Sequence, residues 1–91
     1  MNAIEFLELS QSTMVERGAT YDSNEGERSM GKTIKAFNEI TGESLTESDG
    51  WLIMILLKQV RQWSKEDYHH DSALDAVAYS ALLAESLSES E

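Results

Sequence analysis

Residues 47–63 read ESDGWLIMILLKQVRQW, and the run WLIMILL at Trp51–Leu57 decides the fold class. Seven consecutive apolar residues fit either a short buried strand or the middle of a helix. The pattern continues through Val60 and Trp63 at helical spacing, so the segment is read as a helix over about Glu47–Trp63. Thr46 precedes it, with Asp49 three residues on, which is a capping box with Asp in place of the usual Glu. A helix apolar on every side is expected to be central and buried all round.

Three further helices follow from the flanking sequence. An N-terminal one is expected over about Asn2–Arg17, with Ile4, Leu7, Met14 and Val15 at helical spacing and Gln11 interrupting the stripe. Gly18 stands where a helix stop is expected. GATYDSNEGE at 18–27 reads as a loop, with Asp22, Ser23 and Asn24 as turn or N-cap residues. A second helix is expected from about Glu25 to Thr41, with Met30, Ile34, Phe37 and then Ile40 or Thr41 as its apolar stripe and Gly42 as its stop. The last starts near His70 or Asp71 and runs to about Leu87, burying Leu74, Val77, Ala78, Ala81 and Leu82. Residues 86–91 read as an acidic tail that frays. The expected architecture is all-α: one domain over 1–91, a bundle of about four mostly antiparallel helices with a central, strongly apolar third helix. A domain this small covers such a helix incompletely, so apolar surface left exposed would serve a partner or a homo-oligomer.

Composition narrows the function classes. The 91 residues carry 17 acids against seven bases, for a net charge of −10. The acid sits at the two ends: −3 over residues 1–16, −1 over 17–61 and −6 over 62–91. That distribution disfavours direct contact with nucleic acid, which needs a basic footprint. It suits a partner protein with a basic surface. There is no cysteine, which excludes disulfides, thiolate metal sites and cysteine catalysis. The first residues carry Glu5 and Glu8 among their apolar positions, unlike a signal peptide, and a seven-residue apolar run cannot cross a bilayer. The expected location is the cytoplasm, with no membrane partner.

Three constellations are candidates for chemistry. His69-His70-Asp71 with Asp75 offers imidazole and carboxylate ligands; Asp71 and Asp75 are four apart, share a helix face and could hold Mg2+. Lys58 and Arg61, three apart on the third helix, could hold a phosphate, or could pair with Asp71 and Asp75 across a helix–helix seam. Arg17, Tyr21 and the stripe Arg28, Lys32, Lys35 could form an anion pocket in which the tyrosine stacks on a base. Phosphate-loop, dinucleotide-binding, zinc-protease and nucleophile-elbow motifs are all missing.

The strings ERGATYDS, KAFNEITG, WLIMILLKQVRQW and YHHDSALDAVAYSALLAE, in this order from about Glu16 to Glu85, resemble a family of short helical proteins encoded by bacteriophages. The shared pattern is Arg-Gly-x-x-Tyr (Arg17, Gly18, Tyr21), Lys-x-x-Arg (Lys58, Arg61) and Asp-Ser-x-x-Asp (Asp71, Ser72, Asp75); the family's Gly after the tyrosine is Asp22 here. More distantly, the chain is similar to phage domains associated with nucleotide modification and to MazG-like all-helical nucleotide pyrophosphohydrolases. The resemblance implies an all-α fold, a phage origin and the cytoplasm of an infected host cell. Those hydrolases bind magnesium through two pairs of acids on successive helices. Here Lys58 and Arg61 stand at the first pair and Ser72 replaces one acid of the second, so the local charge is reversed and metal is disfavoured.

Two functions are therefore expected. The first is a small acidic accessory protein that acts without catalysis on a macromolecular partner, a host protein, including inhibition of host defence. Asp67, Asp71, Glu85 and Glu89 form its candidate binding surface, and no cofactor is expected. The alternative is a nucleotide-binding or pyrophosphohydrolase-like domain, with Asp71 and Asp75 on Mg2+, Arg17, Lys58 and Arg61 on phosphates, and Tyr21 stacking.

Overall fold

A computed structural model of the chain describes residues 1–21 and 29–89. It contains four helices, α1 (Ala3–Tyr21), α2 (Met30–Thr41), α3 (Glu47–Trp63) and α4 (His70–Glu89), and no strand among the described residues. Among the described residues no helix is long and apolar enough to cross a membrane. Asp22, Ser23, Asn24 and Arg28, and the side chain of Tyr21, lie outside the described residues.

Local chemistry sets the helix ends. At α1, Asn2 and Glu5 cap each other: the Glu5 amide donates to Asn2 Oδ1 at 2.9 Å and the Asn2 amide to Glu5 Oε1 at 3.0 Å. α1 then runs past Gly18, the expected stop, to Tyr21; one glycine costs a helix only about 1 kcal/mol. α2 stops at Gly42, whose φ of 77° is open to glycine and whose amide donates to Asn38 O at 2.9 Å. The Asn38 side chain grips the Leu45 backbone from both sides, at 2.9 and 3.0 Å, and fixes the turn into α3. There the capping box forms as expected: the Asp49 amide donates to Thr46 Oγ1 and the Thr46 amide to Asp49 Oδ2. The α3–α4 loop is held by Gln62, which accepts from the His69 amide at 2.9 Å and donates to Asp67 O at 3.2 Å.

The helices touch in the order α2–α3–α4–α1. α3 and α4 form an antiparallel hairpin, since Ser48 meets Ser86, Trp51 meets Tyr79, Lys58 meets Asp75 and Gln62 meets His69. α1 crosses α4 in the same direction, with Phe6 against His70 and Arg17 reaching Asp75. α2 packs on the start of α3, where Gly50 permits the approach: a Cβ there would lie 2.5 Å from Met30 Sδ and 3.0 Å from Ile34. Among the described residues the buried apolar ones are Ile34, Trp51, Ala76 and Leu82.

Three expectations about burial are corrected. α3 is not buried all round: Gly50 and Trp51 are buried, but Leu52, Ile53, Leu56 and Leu57 are exposed, because α4 covers one side of α3 and α2 only its beginning. On α1, Ser10 is buried and Phe6, Thr13 and Met14 are half-buried, while Ile4, Leu7 and Val15 face outward. On α4, Ala81 is exposed and the deepest positions are small: Ser72, Ala76 and Ser86, along with Leu82. Small side chains let neighbouring backbones approach closely, so burial there follows the helix crossing and not the apolar stripe. Ser86, expected to begin a frayed tail, is buried within α4 and hydrogen-bonded to Ser48 at 2.7 Å.

Candidate functional site

Asp75 is the point at which three helices bring charge together. Lys58 Nζ of α3 lies 3.0 Å from Asp75 Oδ2, and Arg17 Nη1 of α1 lies 3.7 Å from Asp75 Oδ1. Each carboxylate oxygen thus faces one cation. The Lys58 and Asp75 side chains are 12% and 15% exposed, while that of Arg17 is 55% exposed. The pair is therefore shielded enough to count structurally, and Arg17 is a partly solvated third member. One turn along α4 from Asp75, the Tyr79 ring stacks on Trp51 with centroids 5.8 Å apart, and Lys58 Nζ sits 6.0 Å from the centre of the same ring. That places Lys58 at the outer limit of a cation–π contact.

Between α1 and α4, beside this cluster, lies a cavity of about 30 Å³ lined by Ser10, Met14, Arg17, Leu74, Asp75 and Tyr79. That is the volume of about one water, whereas small-molecule sites run to about 300–1,000 Å³. A nucleotide does not fit in it.

Of the four residues read as a possible charge quartet, only Lys58 and Asp75 meet. Arg61 is exposed and borders a separate open hollow with Val60, Ser64, Lys65 and His69. Asp71 is exposed in the first turn of α4. Nor do the two histidines converge: His69 Nδ1 is hydrogen-bonded to Ser72 Oγ at 2.5 Å, and His70 Nδ1 to the Tyr68 hydroxyl at 3.0 Å. Among the described residues no three metal-ligating side chains gather. Mg2+ does not fit at Asp75, because that carboxylate has a cation on each oxygen. The stripe Lys32 and Lys35 is solvent-exposed on α2, a helix that touches only α3. Tyr79 and Trp51, which frame Lys58, were not among the candidate residues; the Asp75-to-Tyr79 spacing of four was the available signal.

The molecule is thus a small four-helix domain whose sheltered charges neutralise one another. It belongs to the family described as Domain of unknown function (DUF6378), whose model matches residues 6–87. No curated protein and no solved structure matches the chain.

Proposed function

We propose that this protein is a non-catalytic binding module: a phage accessory protein that attaches through its acidic surface to a basic surface of a host protein, in the manner of an inhibitor of host defence. The observation that carries the reading is the acid exposed at the two ends of α4 and in the loop before it. Asp71, in the first turn of α4, and Glu89, its last residue, are both exposed and stand about 27 Å apart along the axis. Asp67 is exposed in the loop leading to α4, and the half-buried Glu85 lies one turn before Glu89. Lys58 and Arg17, the cations that reach α4 at its middle, are turned to Asp75. Residues 62–91 carry seven acids against Lys65, and acid of this kind steers a basic partner and speeds encounter.

The nucleotide reading has less support, since Lys58 is paired with Asp75 and Arg61 stands apart from both. The test is capture of host proteins on the immobilised chain. A partner retained by the wild type is expected to be lost on Asp71→Lys with Glu89→Lys, and at about 0.5 M salt, where screening is nearly complete. Retention through both changes overturns the reading. Backbone amide shifts at Arg17, Lys58 and Asp75 on adding nucleoside triphosphate with Mg2+ would instead favour the nucleotide function.

A further inference from the structure

The side of α3 that turns away from α4 carries Ile53, Leu56, Val60 and Trp63, spaced three, four and three residues apart. This is the a/d pattern of a coiled-coil seam. On the opposite side Trp51, Ile55, Lys58 and Gln62 face α4. The four seam residues are 51%, 54%, 61% and 83% exposed, and Leu52 and Leu57 flank them, also exposed. Together the six form one continuous apolar face in solvent, the kind of patch that marks an interface. A helix of an isolated domain does not ordinarily keep its largest side chains in water.

We infer that this face is where a second copy of the same chain docks, with the two α3 helices packed antiparallel about a two-fold axis. The charge along α3 selects the direction. Its first turn carries Glu47 and Asp49, and its last turn carries Arg61. Antiparallel packing brings the acidic start of each helix toward the basic end of the other and opposes the two helix dipoles, whereas parallel packing sets like against like. The register follows from the seam. Layers of Leu56 against Val60 and of Ile53 against Trp63, each repeated by symmetry, use all four residues and leave Asp49 outside the core. A register one heptad shorter buries Asp49 against Val60, which a charge resists. α3 carries two acids, Glu47 and Asp49, and two bases, Lys58 and Arg61, so two copies at −10 each meet along a helix that adds no net charge of its own. The interface lies on the side of α3 turned away from α4 and does not depend on the acidic-partner reading.

The experiment is sedimentation of the full chain at about 100 μM, together with two sets of variants. A dimer of twice the 10.2 kDa chain mass is expected. Leu56→Lys, which sets two cations into the seam, should weaken association by about a hundredfold with helix content unchanged by circular dichroism. The chain has no cysteine, so Leu56→Cys and Val60→Cys are single probes. Oxidised as an equal mixture, they should give mainly the mixed disulfide dimer, distinguished by mass from either like pair. A 10.2 kDa species at that concentration, a Leu56→Lys chain that still dimerises, or a preference for like-with-like disulfides each overturns the proposal.

Discussion

α3 and α4 are neighbours in one hairpin and obey opposite rules. α3 holds the bulkiest apolar run in the chain and leaves most of it in solvent, whereas α4 places Ser72, Ala76 and Ser86 at its buried positions. The difference lies in their places in the row α2–α3–α4–α1. α4 is crossed on two sides by full helices, and small side chains permit that double approach. α3 has α4 on one side and only the start of α2 near Gly50 on another. Hydrophobicity says which residues gain from burial; the number of neighbours a helix has decides which of them are buried within one chain.

The largest test of this contrast uses the two tryptophans of α3. Trp51, 2% exposed and stacked on Tyr79, should cost about 3–5 kcal/mol when changed to alanine. Trp63→Ala, at a position 83% exposed, should change the stability of the dilute chain by less than about 0.5 kcal/mol. Urea unfolding followed by circular dichroism measures both, and equal losses would break the comparison. A smaller effect is expected at the seam between the two helices. Lys58→Met leaves Asp75 with only the distant Arg17, and should cost about 2 kcal/mol. Asp75→Asn should cost a similar amount, and the double variant less than the sum of the two, which identifies a coupled pair in a double-mutant cycle. The smallest effect concerns the entrance to α3. Thr46→Ala removes one half of the capping box and should lower stability by about 1 kcal/mol, read as a shift in the urea midpoint with unchanged slope.

Periodicity and capping were enough to place α3 at about Glu47–Trp63 with its Thr46–Asp49 box, and to start α4 near His70 or Asp71, where it begins at His70. Those signals are local, held in residues a turn apart. The buried faces were harder to read. Ser10 and Ser72 look like surface residues by type, and their burial depends on which helix crosses at that point, which no short window records. The site divided in the same way. Lys58 and Asp75 could be anticipated as a pair across a helix seam, because Lys58 is a cation set in an apolar helix and Asp75 lies beside Leu74 and Val77. Arg61 did not join them, since three residues further along α3 the side chain has rotated out of the seam. Arg17 was expected in an anion pocket with Tyr21, whose side chain lies outside the described residues; its contact with Asp75 is fixed by the crossing of α1 over α4.

The unequal surroundings of the two indoles have an optical consequence. The chain carries two tryptophans, one sealed against a tyrosine in the hairpin and one almost fully in water, so its intrinsic fluorescence is the sum of a blue component and a red one. A water-borne quencher such as iodide should extinguish the red component first and leave Trp51 to report on the hairpin alone. Any event that covers the outward side of α3 should shift the remaining light toward the blue without a label. The two halves of the emission band therefore separate what happens inside the domain from what happens on its surface.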